Sequence, residues 1–355
     1  MRTSTLTRMI QKPMIDLSAP LLAWFDENKR EFPWRGAMDA YAVWVSETML
    51  QQTRTGAVLA YFPRFMEAYP TVFDLANSKE DELLRVWQGL GYYSRARNMR
   101  RAAKQIVEEY GGIFPREISE LKKLRGVGEY TAGAVASIAF GAHVPAVDGN
   151  ALRVFARLTN CADDIADPKT KAGLSAAITA GLPARAGDFN QAVMDLGATV
   201  CLPGKAPRCE ECPLSRLCEA NRAGTASSLP YKSPKKPRRP ETLTVFVLQK
   251  DNSFLVQKRN ENGLLASLYQ LPNTTGHLNA EEMASHLQAL GISPRSEILC
   301  YERKHIFTHI EWHMRVYACR VTDSAPADYI LYNGTQSLPT AFRICLPGMT
   351  EHITK

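Results

Sequence analysis

The stretch 121–137 constrains the fold of this chain more than any other part of the sequence. Its apolar spacing predicts that one helix ends near Leu121 and Leu124 and that another resumes from Thr131. The glycine pair of 126–128 separates them, and glycine allows a tight turn with left-handed backbone angles. The second helix would begin with unpaired N–H groups, which favour an anion such as a DNA phosphate. The pattern predicts a helix–hairpin–helix, although a plain helix–turn–helix corner with a glycine cap has the same signature.

Four of the eight cysteines crowd into one short stretch with the spacing C-x7-C-x2-C-x5-C. They are Cys201, Cys209, Cys212 and Cys218. Clustered thiolates in an intracellular chain indicate a metal site, not disulfides. Four thiolates suit zinc or an iron–sulfur cluster, and the asymmetric, proline-stiffened spacing favours a cubane cluster over two zinc knuckles. The four scattered cysteines are most simply buried apolar residues.

The composition of the chain changes near residue 221, which indicates two domains. At 355 residues the chain is long for one domain, and its net charge of +7 permits a nucleic-acid partner without requiring it. We expect a flexible tail at 1–15, a helical core at 16–220, a basic linker at 221–241 and an α+β domain at 242–355. Neither a membrane span nor a signal peptide is apparent, so the cytoplasm is the expected location.

Apolar periodicity predicts the individual elements of both domains. The predicted helices are 17–34, 40–60, 71–77, 80–87, 94–110, 117–124, 130–140 and, in the second domain, 280–290. The predicted strands are 243–249, 254–259, 297–301, 305–312 and 314–321, the first two joined as a hairpin.

Two carboxylates occupy positions suited to chemistry. Glu47 follows Val43 by four residues and precedes Leu50 by three, so these side chains share one face of a predicted helix. Apolar neighbours would raise the pKa of its carboxyl and keep it protonated as a general acid. Taken alone, the fragment fits an ordinary surface glutamate at the boundary of a helix face better than it fits a general acid. Asp148 precedes Gly149-Asn150 and a predicted helix, so it is either only an N-terminal cap or a capped carboxylate that faces a developing cation.

Tyr130 follows the two glycines, where a side chain would point toward bound DNA. An enzyme that cuts a DNA strand through a Schiff base needs an amine nucleophile, and a phenol cannot form that imine. A tyrosine instead of a lysine at this position predicts that any reaction on the sugar stops at removal of the base.

Five short motifs and the cysteine spacing identify a known family. The motifs are Phe32-Pro-Trp-Arg35, Ser46-Glu-Thr-Met-Leu-Gln-Gln-Thr53, Gly89-Leu-Gly-Tyr-Tyr-Ser-Arg95, Leu124-Arg-Gly-Val-Gly-Glu-Tyr-Thr-Ala132 and Val147-Asp-Gly-Asn150. Together they resemble the adenine DNA glycosylase (MutY) family, which is one of the helix–hairpin–helix, iron–sulfur DNA glycosylases. The resemblance runs from about Trp24 to near the C-terminus.

The resemblance implies a multidomain fold. An all-α helix–hairpin–helix glycosylase core with a [4Fe–4S] cluster loop at 201–218 would precede a C-terminal α+β MutT-like (Nudix-fold) domain that recognises 8-oxoguanine. The implied reaction is removal of adenine mispaired with 8-oxoguanine or guanine in double-stranded DNA, by a monomer in the cytoplasm at the bacterial nucleoid. No Nudix catalytic box with its string of glutamates is present in the sequence, so the second domain should bind and not hydrolyse.

The resemblance also implies roles for individual residues. Glu47 would protonate the flipped adenine at N7, Asp148 would stabilise the oxocarbenium ion of the sugar, and Tyr130 and Asn150 would complete the catalytic pocket. The implied base- and DNA-binding positions are Trp34, Arg35, Leu50, Gln52, Tyr92, Gly126, Val127, Gly128, Phe307, Thr308 and His309. The implied ligands of the cluster are Cys201, Cys209, Cys212 and Cys218.

Two features depart from the family pattern: the first cysteine gap is one residue longer than usual, and Thr308 stands where many relatives have serine. Two other functions fit parts of the sequence. One is an endonuclease III-like glycosylase and lyase for oxidised pyrimidines, against which Tyr130 and the whole second domain argue. The other is a non-catalytic iron–sulfur protein that binds damaged DNA or senses redox state, against which Glu47 and Asp148 argue.

Overall fold

A computed structural model describes residues 17–36, 39–204, 206–234, 236–296, 298–321 and 326–347. The tail expected at 1–15 lies outside these residues. The chain divides into two compact units, one drawn from Met1–Asn77 and Asn98–Pro234, the other from Ser78–Arg97 and Lys235–Lys355. Among the described residues, no helix has the length and apolar character needed to cross a membrane.

The helices account for nearly all regular structure before residue 239. In chain order they are α1 (Ser18–Asn28), α2 (Ala40–Leu50), α3 (Thr55–Ala68), α4 (Val72–Asn77), α5 (Glu80–Val86), α6 (Ser94–Tyr110), α7 (Ile118–Leu121), α8 (Glu129–Phe140), α9 (Gly149–Leu158), α10 (Pro168–Ala180), α11 (Ala186–Thr199), α12 (Glu219–Arg222), α13 (Ala280–Ala289) and α14 (Thr340–Arg343). A 3₁₀ turn at Cys209–Glu211 lies within the cysteine-rich stretch.

The single helix predicted at 40–60 is wrong: the structure has two helices, α2 and α3. They are separated at Gln52, whose φ of 57° is left-handed. Thr53 closes the turn by donating its N–H to the carbonyl of Leu50 at 3.2 Å. Neither glycine nor proline marks this break in the sequence. The apolar spacing continues across it and therefore predicted a single helix. The start of α2 does have a local signal, because the Asp39 side chain caps the N–H groups of the first turn.

The helix–hairpin–helix predicted at 121–137 is present as α7, a turn and α8. Gly126 has a φ of +78°, and a β-carbon there would lie 2.7 Å from Cβ of Asn98, so glycine is needed at this position. Gly128 has an ordinary φ of −94° and serves as the N-cap of α8, which begins at Glu129. Only the first glycine of the pair therefore supplies the left-handed turn.

Two glycines allow the backbones of neighbouring elements in the first unit to lie in close contact at α8. A β-carbon at Gly133 would lie 2.2 Å from the carbonyl oxygen of Pro145, in the segment that leads to α9. A β-carbon at Gly187 of α11 would lie 2.5 Å from the carbonyl oxygen of Ser137. Side chains at these two positions would push the elements apart. Beside them, an apolar core that includes Phe155 and Phe189 holds α9 and α11 together.

The second unit is built on a β-sheet. Its strands are β1 (Arg239–Lys250), β2 (Ser253–Lys258), β3 (Tyr269–Gln270), β4 (Asn273–Thr275), β5 (Leu299–Ile306), β6 (Ile310–Arg320) and β7 (Tyr329–Leu331). The order is β3-β2-β1-β6-β5, with β4 paired to β1 and β7 to β2. Strands β1 and β6 run parallel, while β5 and β6 are antiparallel. One apolar cluster includes Met283 and Leu287 of α13, and another includes Phe342 of α14.

The strand predicted at 305–312 is wrong, because the chain turns at 307–309 between β5 and β6. The N–H of Phe307 donates to the carbonyl of Ile310 at 2.8 Å and closes this turn. The short strands β3, β4 and β7 and the helix α14 were not predicted, since each is only two to four residues long. The expected combination of an all-α part and an α+β part is confirmed.

Candidate active site

One cavity in the first unit gathers most of the predicted catalytic and base-binding residues. Its lining includes Trp34, Arg35, Glu47, Leu50, Gln52, Gly126, Gly128, Tyr130, Asp148 and Asn150. Val127 is buried and does not line this cavity. These ten residues come from four regions of the first unit: the segment before α2, α2 with the turn that follows it, the hairpin with α8, and the start of α9.

Glu47 lies in the middle of α2, and every residue from Ala40 to Met49 is buried. Only 5% of Glu47 is exposed, so the surface interpretation of the fragment is wrong. Burial, with a smaller contribution from the negative charge of Asp148, raises the pKa of its carboxyl, which reaches about 7. Hydrogen bonding from Tyr130 and the charge of Arg35 act in the opposite direction. The result is a carboxylic acid that still holds its proton close to neutral pH.

Asp148 is both a helix cap and a wall of the cavity. Its Oδ1 accepts a hydrogen bond from the N–H of Ala151 at 2.7 Å, and its Oδ2 accepts one from Nδ2 of Asn150 at 2.7 Å. Burial raises the pKa of Asp148 above its usual value, and these hydrogen bonds offset part of that rise. Because the donors favour the ionised form, Asp148 is better suited than Glu47 to carry the negative charge.

Tyr130 connects the hairpin to the buried acid. Its hydroxyl donates a hydrogen bond to Oε2 of Glu47, and the sulfur of Met194 lies 3.8 Å from the same oxygen of Tyr130. Burial and the nearby carboxylates of Glu47 and Asp148 hold the pKa of Tyr130 well above its usual range, so it remains a neutral donor. Lysine does not occur among the described residues that line this cavity.

Asn150 is held from the opposite side by Arg153. Nη2 of Arg153 donates to Oδ1 of Asn150 at 2.8 Å and to the carbonyl of Gly197 at 2.7 Å, while its Nε donates to the carbonyl of Cys201 at 2.9 Å. A β-carbon at Gly197 would lie 2.7 Å from Cβ of Asn150, so α9 and α11 approach closely here. The amide of Asn150 is therefore fixed in the orientation that donates to Asp148.

Several lining residues were not predicted from the sequence: Arg30, Gln51, Gln191, Met194 and Asp195. Gln51 donates from Nε2 to the hydroxyl of Thr131 at 3.1 Å and so joins α2 to α8. Asp195 binds arginines that precede it by 160 and 165 residues. No local pattern in the sequence predicts such pairs. The one available signal was Asp195 itself, a charged residue among the apolar residues of α11.

The four clustered cysteines line a second cavity of the same unit. Its remaining walls are largely apolar and include Leu196, Val200 and Leu214. Nη1 of Arg157, which is also buried, lies 3.2 Å from Sγ of Cys201. Among the described residues, no group of three or more His, Cys, Asp or Glu side chains is arranged to hold a metal ion. Four thiols around one cavity are a donor set that suits either zinc or an iron–sulfur cluster.

The remaining predicted DNA-binding residues lie in the second unit. Tyr92 has a left-handed φ of 46° and is 45% exposed, and its hydroxyl is hydrogen-bonded to that of Thr308 at 2.8 Å. Phe307 packs edge-on against Trp312, with ring centroids 4.9 Å apart. The carbonyl of His309 accepts a hydrogen bond from the N–H of Arg239 at 3.0 Å. The turn at 307–309 is therefore anchored by its backbone while the Thr308 hydroxyl meets Tyr92.

Comparisons with known proteins agree with this geometry. Residues 45–178 match the HhH-GPD superfamily of base excision DNA repair proteins, and residues 244–346 match the NUDIX domain. The adenine DNA glycosylase of Homo sapiens is 36% identical over 372 residues, which cover 86% of this chain and 67% of the human protein.

Two solved structures share the helical fold. A thermostable thymine-DNA glycosylase superimposes with a TM-score of 0.52 at 30% identity, over 57% of this chain and 94% of its own. Endonuclease III in a non-covalent complex with DNA superimposes with a TM-score of 0.50 at 26% identity, over 57% of this chain and 92% of its own. The resemblance found in the sequence motifs is confirmed: the chain belongs to the adenine DNA glycosylase family.

Proposed function

We propose that this protein removes adenine paired with 8-oxoguanine or guanine in double-stranded DNA, and that it leaves the DNA strand intact. The observation that carries the proposal is the buried Glu47 carboxyl, whose pKa is raised to about 7 in the same cavity as Asp148. A protonated acid and an ionised carboxylate in one cavity are what departure of a purine from deoxyribose requires.

The acid acts on the leaving group. Adenine leaves poorly as an anion, so protonation of a ring nitrogen must accompany cleavage of the glycosidic bond. Glu47 supplies this proton to N7, and the hydroxyl of Tyr130 orients its carboxyl. The anomeric carbon is shielded in a stacked duplex, and the buried acid cannot reach the base there, so the adenine is flipped out of the helix into the cavity. Trp34 and Leu50 line the same cavity and supply apolar surface for the flipped base.

The carboxylate acts on the sugar. Loss of the base leaves positive charge on the ring oxygen and the anomeric carbon, and the Asp148 carboxylate stabilises this charge. The cap hydrogen bonds from Ala151 and Asn150 keep its carboxyl fixed before the reaction begins. Water then adds to the cation, which gives free adenine and an abasic site.

The reaction ends there because no lysine among the described lining residues is placed to attack the sugar. The residue that follows the hairpin is Tyr130, and lysine does not occur among the described residues that line the cavity. A Schiff base requires an amine, so the elimination that breaks the strand cannot begin.

The opposite base is read by the second unit. The turn at 307–309 presents the Thr308 hydroxyl, which is paired with the hydroxyl of the exposed Tyr92. A hydroxyl at this place donates or accepts, as is required to distinguish the N7–H and O8 of 8-oxoguanine from the bare N7 of guanine. The extra methyl group of threonine leaves that hydroxyl in place.

The four cysteines would hold a [4Fe–4S] cluster, which binds thiolates and gives rigidity to the loop that carries them. The buried guanidinium of Arg157 contacts Cys201 and also donates to the carbonyls of Leu202 and Gly204 at 2.7 and 3.1 Å. This arginine orders the first part of the loop. Arg153 joins the same loop to Asn150, so disorder of the loop would reach the catalytic pocket.

Glu47→Gln should lower single-turnover excision of adenine by roughly 10²–10⁴-fold, because the amide has no proton to donate, while mismatch binding persists. In the unmodified protein the rate should fall as the pH rises through about 7, since only the protonated Glu47 is active. Glu67→Gln, on the exposed surface of α3, is the matched control and should leave rate and pH profile unchanged. Excision by Glu47→Gln at the unmodified rate would exclude Glu47 as the acid.

The unmodified protein should release adenine and leave an abasic strand that breaks only after hot alkali. Borohydride should trap no rapid protein–DNA adduct. Tyr130→Lys should gain both strand cleavage and trapping, because it introduces an amine near the sugar. Tyr130→Phe, which removes the hydroxyl without adding an amine, should gain neither. Nicking by the unmodified protein as fast as adenine release would contradict the proposal.

Thr308→Val should reduce the preference for adenine opposite 8-oxoguanine over adenine opposite guanine. Loss of one hydrogen bond of about 1 kcal/mol corresponds to a roughly fivefold change in the ratio of the two excision rates. Thr275→Val, on an exposed end of β4, is the matched control. An unchanged ratio in Thr308→Val would show that this hydroxyl does not read the opposite base.

Protein prepared without oxygen should contain iron and acid-labile sulfide. Cys212→Ser should lower soluble yield and DNA affinity, because it removes a ligand from the cavity wall. Cys300 of β5 is exposed, so the expectation that all four scattered cysteines are buried is wrong for this one. Cys300→Ser should retain both the iron content and the affinity of the unmodified protein. Zinc without iron in the anaerobic preparation would refute the cluster.

A further inference from the structure

Asp195 of α11 is fully buried at the wall of the cavity that holds Glu47 and Asp148. Its Oδ1 accepts hydrogen bonds from Nε and Nη2 of Arg30, at 2.9 and 2.6 Å. Its two oxygens also accept from Arg35, with Nη1 at 2.6 Å from Oδ2 and Nη2 at 3.0 Å from Oδ1. One carboxylate therefore holds two guanidinium groups, and its Oδ2 accepts in addition from the backbone N–H of Arg30 at 3.3 Å.

These contacts orient an aromatic wall of the same cavity. The guanidinium groups of Arg30 and Arg35 lie over the ring of Phe32, at 4.8 and 5.0 Å from its centroid. Phe32 in turn stacks on Trp34, with the ring centroids 4.7 Å apart. Nη1 of Arg35 also donates to the carbonyl of Arg30 at 2.9 Å. The segment that carries these four residues is thus fixed to α11 by Asp195.

The cavity also has an unusual balance of charge. Its titratable lining residues, taken from every element around Glu47, are Arg30, Arg35, Glu129, Tyr130, Asp148 and Asp195. The positive charge of Arg35 lowers the pKa of Glu47. Asp195 is in direct contact with that guanidinium and offsets its charge. Without this carboxylate, two unpaired guanidinium groups would remain beside an acid that must stay protonated.

We propose that Asp195 is a positioning residue for base excision, which holds Arg30 and Arg35 in the cavity wall and prevents their combined positive charge from ionising Glu47. This role rests on the proposed function of Glu47 as the acid. Asp195 acts through the arginines and does not touch the reacting atoms.

The sign of the effect follows from the charges. Asp195→Asn removes one negative charge and leaves both guanidinium groups, so Glu47 should lose its proton at lower pH. The descending limb of the plot of single-turnover adenine excision against pH should then move to lower pH by about half a unit to one unit. Arg35→Gln removes one positive charge and should move the limb to higher pH. The double variant Asp195→Asn/Arg35→Gln should bring the limb back toward its original position.

A purely structural role would give a different result. It would lower the rate at every pH and leave the midpoint of the descending limb where it was. Asp195→Glu keeps the charge and should retain the midpoint even where the longer side chain lowers the rate. Asp188→Asn removes a carboxylate from the same helix, where it pairs with Arg185 outside the cavity, and should change neither rate nor midpoint.

The experiment uses the full chain and a duplex with one adenine–guanine pair. A midpoint that does not move in Asp195→Asn would overturn the proposal. If that variant does not fold, Arg35→Gln is compared with the double variant Asp195→Asn/Arg35→Gln: a lower midpoint in the double variant supports the proposal, and equal midpoints overturn it. Failure of the Glu47 assignment looks different, because the unmodified protein would then show no descending limb near pH 7 that Glu47→Gln abolishes.

Discussion

The burial of one carboxyl group dominates the design of the catalytic unit. A glutamate in the middle of an apolar helix loses the hydration of its charged form, so it keeps its proton at a pH where exposed glutamates are ionised. This is the condition for a general acid at neutral pH. Burial on this scale needs a complete wall around α2, and that wall is supplied by α8, the capped start of α9 and the arginine-bearing segment before α2. Each of these elements also contributes a polar group that raises or lowers the pKa of Glu47.

The wall depends on close backbone contact, and small residues permit it. Gly133, Gly187 and Gly197 each lie where a β-carbon would meet another element at less than 3 Å. They allow the segment before α9 and the helix α11 to lie directly on their neighbours. The carboxylates of Asp148 and Asp195 reach the cavity for this reason. A glycine in a helix usually weakens it, and here the weakness is offset by packing.

The helical fold by itself does not select a base. Solved structures named for a thymine-DNA glycosylase and for endonuclease III share it over 57% of this chain. Differences in chemistry must therefore come from side chains in the cavity and from the second unit. Tyr130 is one such side chain, and the proposed excision without strand cleavage depends on its being a phenol and not an amine. The Thr308–Tyr92 pair is a second example, since Thr308 lies in the part of the chain that matches the NUDIX domain.

The sequence by itself determined the elements whose signals are local. Helical periodicity, the hairpin glycines, the cap at Asp148 and the cysteine spacing were all read within a window of a few residues, and the motifs were specific enough to identify the family. Only the tertiary structure showed that Glu47 is buried and not on the surface. It alone also showed that the helix breaks at Gln52 and that Asp195 binds Arg30 and Arg35. Burial and ion pairing depend on residues far apart in the chain: Asp195 lies 160 residues beyond Arg35. The sequence around either partner has no periodic pattern that predicts such a contact, because the free energy that stabilises it arises only when the helices pack.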